Sequence, residues 1–314
     1  MKRITLFVFV VACMLLPGLV PKASAQYYYY DKFSYDNPIT FELGGSLGIM
    51  NCLTDLGGKK GIGKRFIKDL NLGNTQFNGS IYLCATYHYA YALRLEGTFG
   101  RVKAYDSILA SVAASTSGRY ERNLSFQSRI TEISLIAEFH PLFIFINWEG
   151  RDEEPPRISP YLAVGIGYYS FNPQAKIGNR LVDLQPLSTE GEGFAEYTDR
   201  PVYKLHQVNV PVGIGVKYEA SALFNIRLEF LHRILFTDYL DDVSTRYIDP
   251  TLFSTYFTGQ QRDNAIALNS NYRLDPPHNF NHNAGGIRGN PKNNDAYFTF
   301  NLKVGLTFGR EKVR

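Results

Sequence analysis

The sequence predicts an all-β chain: an eight-stranded antiparallel transmembrane β-barrel with long extracellular loops on one rim and short periplasmic turns on the other. Three observations predict it. Beyond residue 25 no stretch approaches the roughly 20 consecutive apolar residues that a spanning helix needs, so a membrane protein here has to cross with strands. Eight segments alternate apolar and polar residues one by one, as strands do when one face meets lipid and the other the barrel interior. The connections between those segments alternate long and short. Composition agrees, with 22 Tyr, 22 Phe and 27 Gly among 314 residues against three Met and one Trp, an excess suited to sheet. The net charge of +4 arises from interspersed acids and bases and points to no nucleic-acid partner.

Lys2 and Arg3 open the chain, an apolar run extends from Ile4 to Leu16, Pro17-Gly18 breaks it, and Ala23-Ser24-Ala25 supplies a small-x-small site. This is the pattern of a secretory signal peptide cleaved between Ala25 and Gln26. A retained anchor helix has no need of that site and is interrupted by Pro17 and Lys22. Lipidation at Cys13, behind Val10-Val11-Ala12, requires the apolar run to have ended already. The expected organisation is a signal peptide over 1–25, a periplasmic N-terminal segment over 26–38, an outer-membrane barrel over 39–309 and a tail over 310–314.

The segments follow in order. The first sets Phe41, Leu43, Leu47 and Ile49 against Glu42, Gly44, Ser46 and Gly48. The second sets Phe77, Ile81, Leu83, Ala85 and Tyr87 against Asn78, Ser80, Tyr82, Thr86 and His88. The third alternates Leu93, Leu95, Gly97 and Phe99 with Arg94, Glu96, Thr98 and Gly100. In the fourth, Ile133, Leu135, Ala137 and Phe139 oppose Glu132, Ser134, Ile136 and Glu138, with Ile136 out of pattern. The fifth, Tyr161 to Tyr169, sets Leu162, Val164, Ile166 and Tyr168 against Tyr161, Ala163, Gly165 and Gly167. In the sixth, Val208, Val210, Val212, Ile214 and Val216 alternate with Gln207, Asn209, Pro211, Gly213, Gly215 and Lys217. The seventh sets Phe224, Ile226, Leu228 and Phe230 against Asn225, Arg227 and Glu229. The eighth closes with Leu302, Val304, Leu306 and Phe308 against Asn301, Lys303, Gly305 and Thr307.

Long polar connections follow the odd-numbered segments, the last running from about Tyr239 to Asp295. Ala90 is nearly the whole turn after segment two, Asp152 to Pro156 makes the turn after segment four, and Glu219 to Ala222 the turn after segment six. A β-sandwich also alternates but has no reason to sort its loops by length. Arg94-Leu95-Glu96 recurs as Arg227-Leu228-Glu229, each time with the charges on the polar face. The interior of a barrel of this size is filled by side chains, so charges there must pair. Arg94, Glu96, Glu132, Glu138, Lys217, Arg227, Glu229 and Lys303 are the candidates for an interior ion-pair network. Gly44, Gly48, Gly165, Gly213, Gly215 and Gly305 on the same face leave room for the plug and let the sheet curl. Cys52 and Cys84 both face inward on this reading, with Cys84 beside Gly44. Cys52 then lies roughly 25 Å away along the strand at about 3.3 Å per residue, so two free, sheltered thiols are expected.

Motifs of chemistry are sparse. The six His fall in no zinc-binding spacing; His88 reads as an interior side chain, and His278 and His282 sit in an Asn-rich loop. The run Thr237 to Ser244 carries Asp238, Tyr239, Asp241 and Asp242 but lacks the spacing of a calcium loop, so it reads as a hydrogen-bonded loop whose residues are contact candidates. Gly57-Gly58-Lys59-Lys60-Gly61 lacks the Ser or Thr of a phosphate loop, and no Gly-x-Ser-x-Gly elbow appears. No catalytic residue, cofactor or metal is expected; an enzyme would have to use those aspartates with a nearby His.

Several stretches resemble the outer-membrane barrel family that contains PorG, a component of the type IX secretion system. They are Leu124 to Ile133 (LSFQSRITEI), Pro160 to Gly167 (PYLAVGIG), Phe171 to Ala175 (FNPQA), Leu187 to Gly191 (LSTEG), Thr237 to Thr245 (TDYLDDVST) and Arg288 to Asp295 (RGNPKNND). The resemblance runs in order along nearly the whole mature chain. It implies a non-enzymatic part in exporting large proteins, in machinery that gliding bacteria also use for adhesins. The implied partners are outer-membrane lipid, the periplasmic secretion ring and the translocon, and the family offers no catalytic residues to carry over. One departure is that Phe308 is followed by Gly309 to Arg314, where many barrels end on the aromatic. The short turns and the segment from Gln26 to Asn37, with its run Tyr27 to Tyr30, are the expected contacts. The competing expectation is a small channel or adhesin barrel.

Overall fold

The computed structural model describes residues 38–58, 70–116, 118–145, 156–221, 223–269 and 284–309. The signal peptide with its Ala25–Gln26 site, the segment before Pro38, most of the Asp152 to Pro156 turn, His278, His282 and the tail lie outside the described residues. The sheet contains β1 (Ile39–Leu53), β2 (Gln76–Tyr87), β3 (Tyr91–Tyr105), β4 (Ser125–Phe139), β5 (Ile158–Ser170), β6 (Pro173–Ile177), β7 (Arg180–Asp183), β8 (His206–Glu219), β9 (Phe224–Leu235) and β10 (Ala296–Phe308). Of these ten strands, eight close an antiparallel barrel in the order β1-β2-β3-β4-β5-β8-β9-β10, with β10 returning to β1. Closure pairs both edges of each of these eight strands, which is what lets a sheet stand in lipid.

Alternation sorts the side chains as strand geometry demands. Outward apolar residues form a continuous exposed belt, with Leu47 77%, Phe77 88%, Ile81 65%, Ile166 60% and Ile214 60% exposed. A belt of this extent belongs against hydrocarbon. No helix among the described residues is long and apolar enough to cross a membrane. The inward face is polar and crowded. Tyr82 stands directly across from Gly44, and Tyr161 across from Gly215, and a Cβ on either glycine would lie within about 2.5 Å of the tyrosine ring. Glycine here is a space requirement.

Ile136, the apolar exception on the polar face of the fourth segment, is wholly buried inside the barrel with Tyr161, Ala163 and Leu231, a small apolar layer in the polar interior. One sequence expectation is corrected. His88 is no interior residue but an exposed turn residue with φ 46°, followed by Tyr89 at φ 57°; two left-handed residues in succession turn the chain tightly between β2 and β3. Cys84 pairs with Glu42, two residues from Gly44 on the same face, and both cysteines are buried and free. The connection after β5 contains the β6–β7 hairpin, tied to the top of β4 through Gln127–Gln174 and Ser128–Pro173.

The long loops form a head with its own core. Leu56, Leu124, Phe171, Leu187, Phe194, Leu240, Val243, Ile248 and Phe253 pack in one buried cluster with Met50, Val102, Ile130, Leu235 and Tyr297 from the strand tops. Short helices at Leu252–Tyr256 and Gly259–Asn269 belong to the last loop. Tyr256 stacks on Phe194 at 3.9 Å between ring centroids, fastening that loop to the one that follows β5. The head is thus continuous with the barrel interior.

Candidate functional site: a charged interior beneath a loop knot

The inward register of β8, β9 and β10 places Lys217, Arg227 and Lys303 side by side, since Arg227 pairs with Lys217 on one side and Lys303 on the other. Three adjacent cations repel, and carboxylates reaching across from other strands offset them. Arg227 donates to Glu42 at 2.5 and 2.9 Å and to Glu138 at 2.7 Å. Lys303 meets both oxygens of Glu96 at 2.6 Å and Glu229 at 2.9 Å. Arg94 bridges Glu96 at 2.9 Å, Glu229 at 2.6 Å and Glu138. Lys217 is looser, 3.8 Å from Glu42 and 3.7 Å from Glu219.

Nearer the loops a second cluster pairs Glu132 with Arg233 at 3.3 Å, and Glu132 also accepts from Tyr297 and, at 2.9 Å, from Asn209. Neutral donors complete the network: Tyr82 donates to Glu42 at 2.6 Å, Tyr161 to Glu229 at 2.9 Å, Ser80 to Glu96 at 2.5 Å and Asn225 to Glu42 at 3.0 Å. At the short-turn end His140 contacts Ser159 at 2.9 Å and Glu138 at 3.4 Å.

All the strand charges named from the sequence therefore lie in this interior, and Arg94, Arg227 and Lys303 have no exposed surface at all. Sequence reasoning missed Glu42, Arg233 and the tyrosines. Glu42 sits on the polar face of segment one but outside any Arg-x-Glu repeat. Arg233 lies beyond Phe230, where the seventh segment was expected to end, on the extension of β9 to Leu235. A water-filled bore would leave such side chains wet; here they fill the cross-section.

Above the barrel the loops are tied by charge. Arg122 grips Asp106 through two bonds of 2.8 and 2.9 Å, and Asp106 also accepts from the backbone of Gly57 and Leu124. Glu190 accepts from the backbone of Ser244 and Thr245, the Thr245 hydroxyl and Arg288 at 2.9, 2.8, 2.6 and 2.9 Å. Asp242, at φ 66°, accepts from Thr189 and Tyr203, both at 2.6 Å. Burial holds its carboxyl up at about 6, against the opposing pull of Arg288, and burial with Asp242 and Glu190 nearby pushes Glu192 up to about 8.

The Thr237 to Ser244 run is a hydrogen-bonded loop whose acids turn inward. Asp238, Asp241 and Asp242 are 7%, 1% and 0% exposed, and Tyr239 is half-buried, stacked on Tyr203 at 4.8 Å. They face the loop core because Asp241 accepts the amides of Leu56 and Val243, folding the run inward against the end of β1. Among the described residues no group of three His, Cys, Asp or Glu is arranged to hold a metal ion.

No protein-family model and no curated protein matches the sequence. Among solved structures, the chain is similar to Neisserial surface protein A at a TM-score of 0.37 and 8% identity, covering 86% of this chain and 97% of that one. It is similar to Ail, the attachment invasion locus protein of Yersinia pestis solved with the heparin analogue sucrose octasulfate, at 0.34 and 9%, covering 86% and 97%. It is similar to the outer membrane protein OprG of Pseudomonas aeruginosa at 0.33 and 9%, covering 88% and 99%. The barrel assignment stands on the strand register itself.

Proposed function

We propose that this chain is a non-enzymatic outer-membrane component of a protein secretion machine of the PorG kind, contacting the periplasmic ring and supporting export of cargo. The observation that carries the reading is that the stretches resembling that family interlock in space. Glu190 of the LSTEG stretch holds Ser244 and Thr245 of the TDYLDDVST stretch and Arg288 of the RGNPKNND stretch. Thr189 bonds Asp242, and Asp55 at the end of β1 accepts the amide of Asn290. Residues from Thr189 to Asn290, with Asp55 far upstream, thus make one physical unit, and a shared unit supports kinship better than scattered matches do.

The filled interior also favours a scaffold over a conduit. The alternative is an adhesin-type barrel, and the ordered loop head favours it, because a rigid head can present a binding surface. Deleting the gene and comparing culture medium with periplasm, beside a complemented strain, separates the two. Accumulation of type IX cargo inside the cell supports the secretion reading; normal export overturns it and moves the adhesin reading forward.

A further inference from the structure

The outer wall of the barrel changes chemistry within one step at the long-loop ends of β3 and β4. Outward side chains on β3 run Leu93, Leu95, Gly97, Phe99 and then Arg101; on β4, in the same direction, they run Phe139, Ala137, Leu135, Ile133, Thr131 and then Arg129. The register sets Arg101 directly opposite Arg129, and both are exposed. Among the described residues neither guanidinium enters an ion pair or side-chain hydrogen bond. Like charges facing each other across an antiparallel ladder are destabilising. No described residue supplies the anion that such a pair calls for.

Position says which anion. Arg101 is one outward step, about 7 Å along the strand, beyond the lipid-facing Phe99, so it stands where hydrocarbon gives way to headgroups. On the β2 side Phe77 precedes Asn78, the partner of Gly100, and so flanks Arg101 with a ring that is 88% exposed. Lys103 follows on the same face and Lys176 on β6 is exposed. The nearby Asp183 is engaged by Asn172 at 3.0 Å and Gln174 at 2.7 Å. Two guanidiniums side by side, each a planar fork of donors, match the oxygens of a phosphate.

We infer that Arg101 and Arg129 bind the phosphate of an anionic membrane lipid, with Phe77 and Phe99 alongside its acyl chains. The inference does not depend on the secretion reading. Full-length protein in phosphatidylcholine nanodiscs containing a small fraction of diphosphorylated lipid A is the test, with bound lipid counted by native mass spectrometry. The wild type retains lipid A, and the double variant Arg101→Gln/Arg129→Gln loses it by about tenfold, as expected for losing two charge-assisted contacts. Arg262→Gln, on a loop helix, leaves retention unchanged. In neutral detergent the double variant unfolds at a temperature equal to or above that of the wild type, because the repulsion is gone, and it no longer gains stability when lipid A is added. Equal retention by wild type and double variant overturns the inference, and so does displacement of the lipid's effect by inorganic phosphate alone, which would mean a free-anion site.

Discussion

Asp238 is a buried loop carboxylate that lies among other acids, Asp55 and Asp241. Burial, then the charge of Asp55, pushes its pKa from 3.8 up to about 9. The folded state therefore holds a proton that the unfolded chain has lost at neutral pH. The associated stability is complete below about pH 3.8 and declines as pH rises toward about 9. Asp238→Asn keeps the shape and removes the titration. Its unfolding midpoint in detergent should match the wild type in acid, exceed it in alkali, and change less steeply with pH between. Some slope persists, because Asp241 and Asp295 are also raised, by burial and by the neighbouring carboxylates. Identical slopes for the two proteins would refute this. Inside the barrel the logic reverses, since every charge has a partner. Arg227→Met takes the two-bond clasp from Glu42 and one of the two cations from Glu138, leaving Glu42 with Lys217 at 3.8 Å and Glu138 with Arg94, and should cost about 3–5 kcal/mol. Adding Glu42→Gln should recover part of that loss, a coupling that a double-mutant cycle measures.

The elements were legible in proportion to how strictly they alternate. Segment six reads Val-x-Val-x-Val-x-Ile-x-Val and lies inside β8. The inward direction of Arg94 and Arg227 followed from parity alone. What parity does not encode is where a strand stops, so Arg233 was lost, or which carboxylate crosses the barrel to which cation, so Glu42 was not weighed. The helix Gly259–Asn269 left no trace either, because GQQRDNAIALN offers only Ala265 and Leu268, with the partly buried Ile266, as apolar contacts and no amphipathic period. Local order within the wall varies too. The β5–β8 ladder pairs Val164 with Val212 and resumes at Gly167 with Asn209, and Pro211, which has no N–H to donate, lies in the gap. Amides at Ile166 and Val210 should exchange with deuterium faster than those at the centre of the unbroken β1–β10 ladder. Equal protection at both seams would show that the gap carries no weakness. On the same strand, Gly215→Val must displace the Tyr161 ring and with it the bond to Glu229, for a loss of about 1–3 kcal/mol.

At the scale of the whole molecule, the decisive question is whether the barrel conducts. Its wall could enclose a bore only if the inward side chains stood apart, and instead β3, β4, β9 and β10 send Arg94, Glu138, Arg227, Glu229 and Lys303 into one another, all of them buried. An ion crossing this layer would have to break several buried pairs at once, each broken pair leaving an uncompensated charge. Above that layer the loop core caps the barrel, with Tyr297 and Ile130 packed beneath Leu240 and Val243 in the same cluster. The two obstacles lie in series. Purified protein in a planar bilayer should therefore show no stable single-channel conductance at neutral pH. Neutralising one partner, as in Glu138→Gln, should destabilise the barrel before it opens a path, because Gln fills the volume of Glu while Arg94 and Arg227 lose a counter-charge. Reproducible conductance steps from the folded wild type would mean that the charged layer rearranges as a gate, and would make the channel reading the one to pursue.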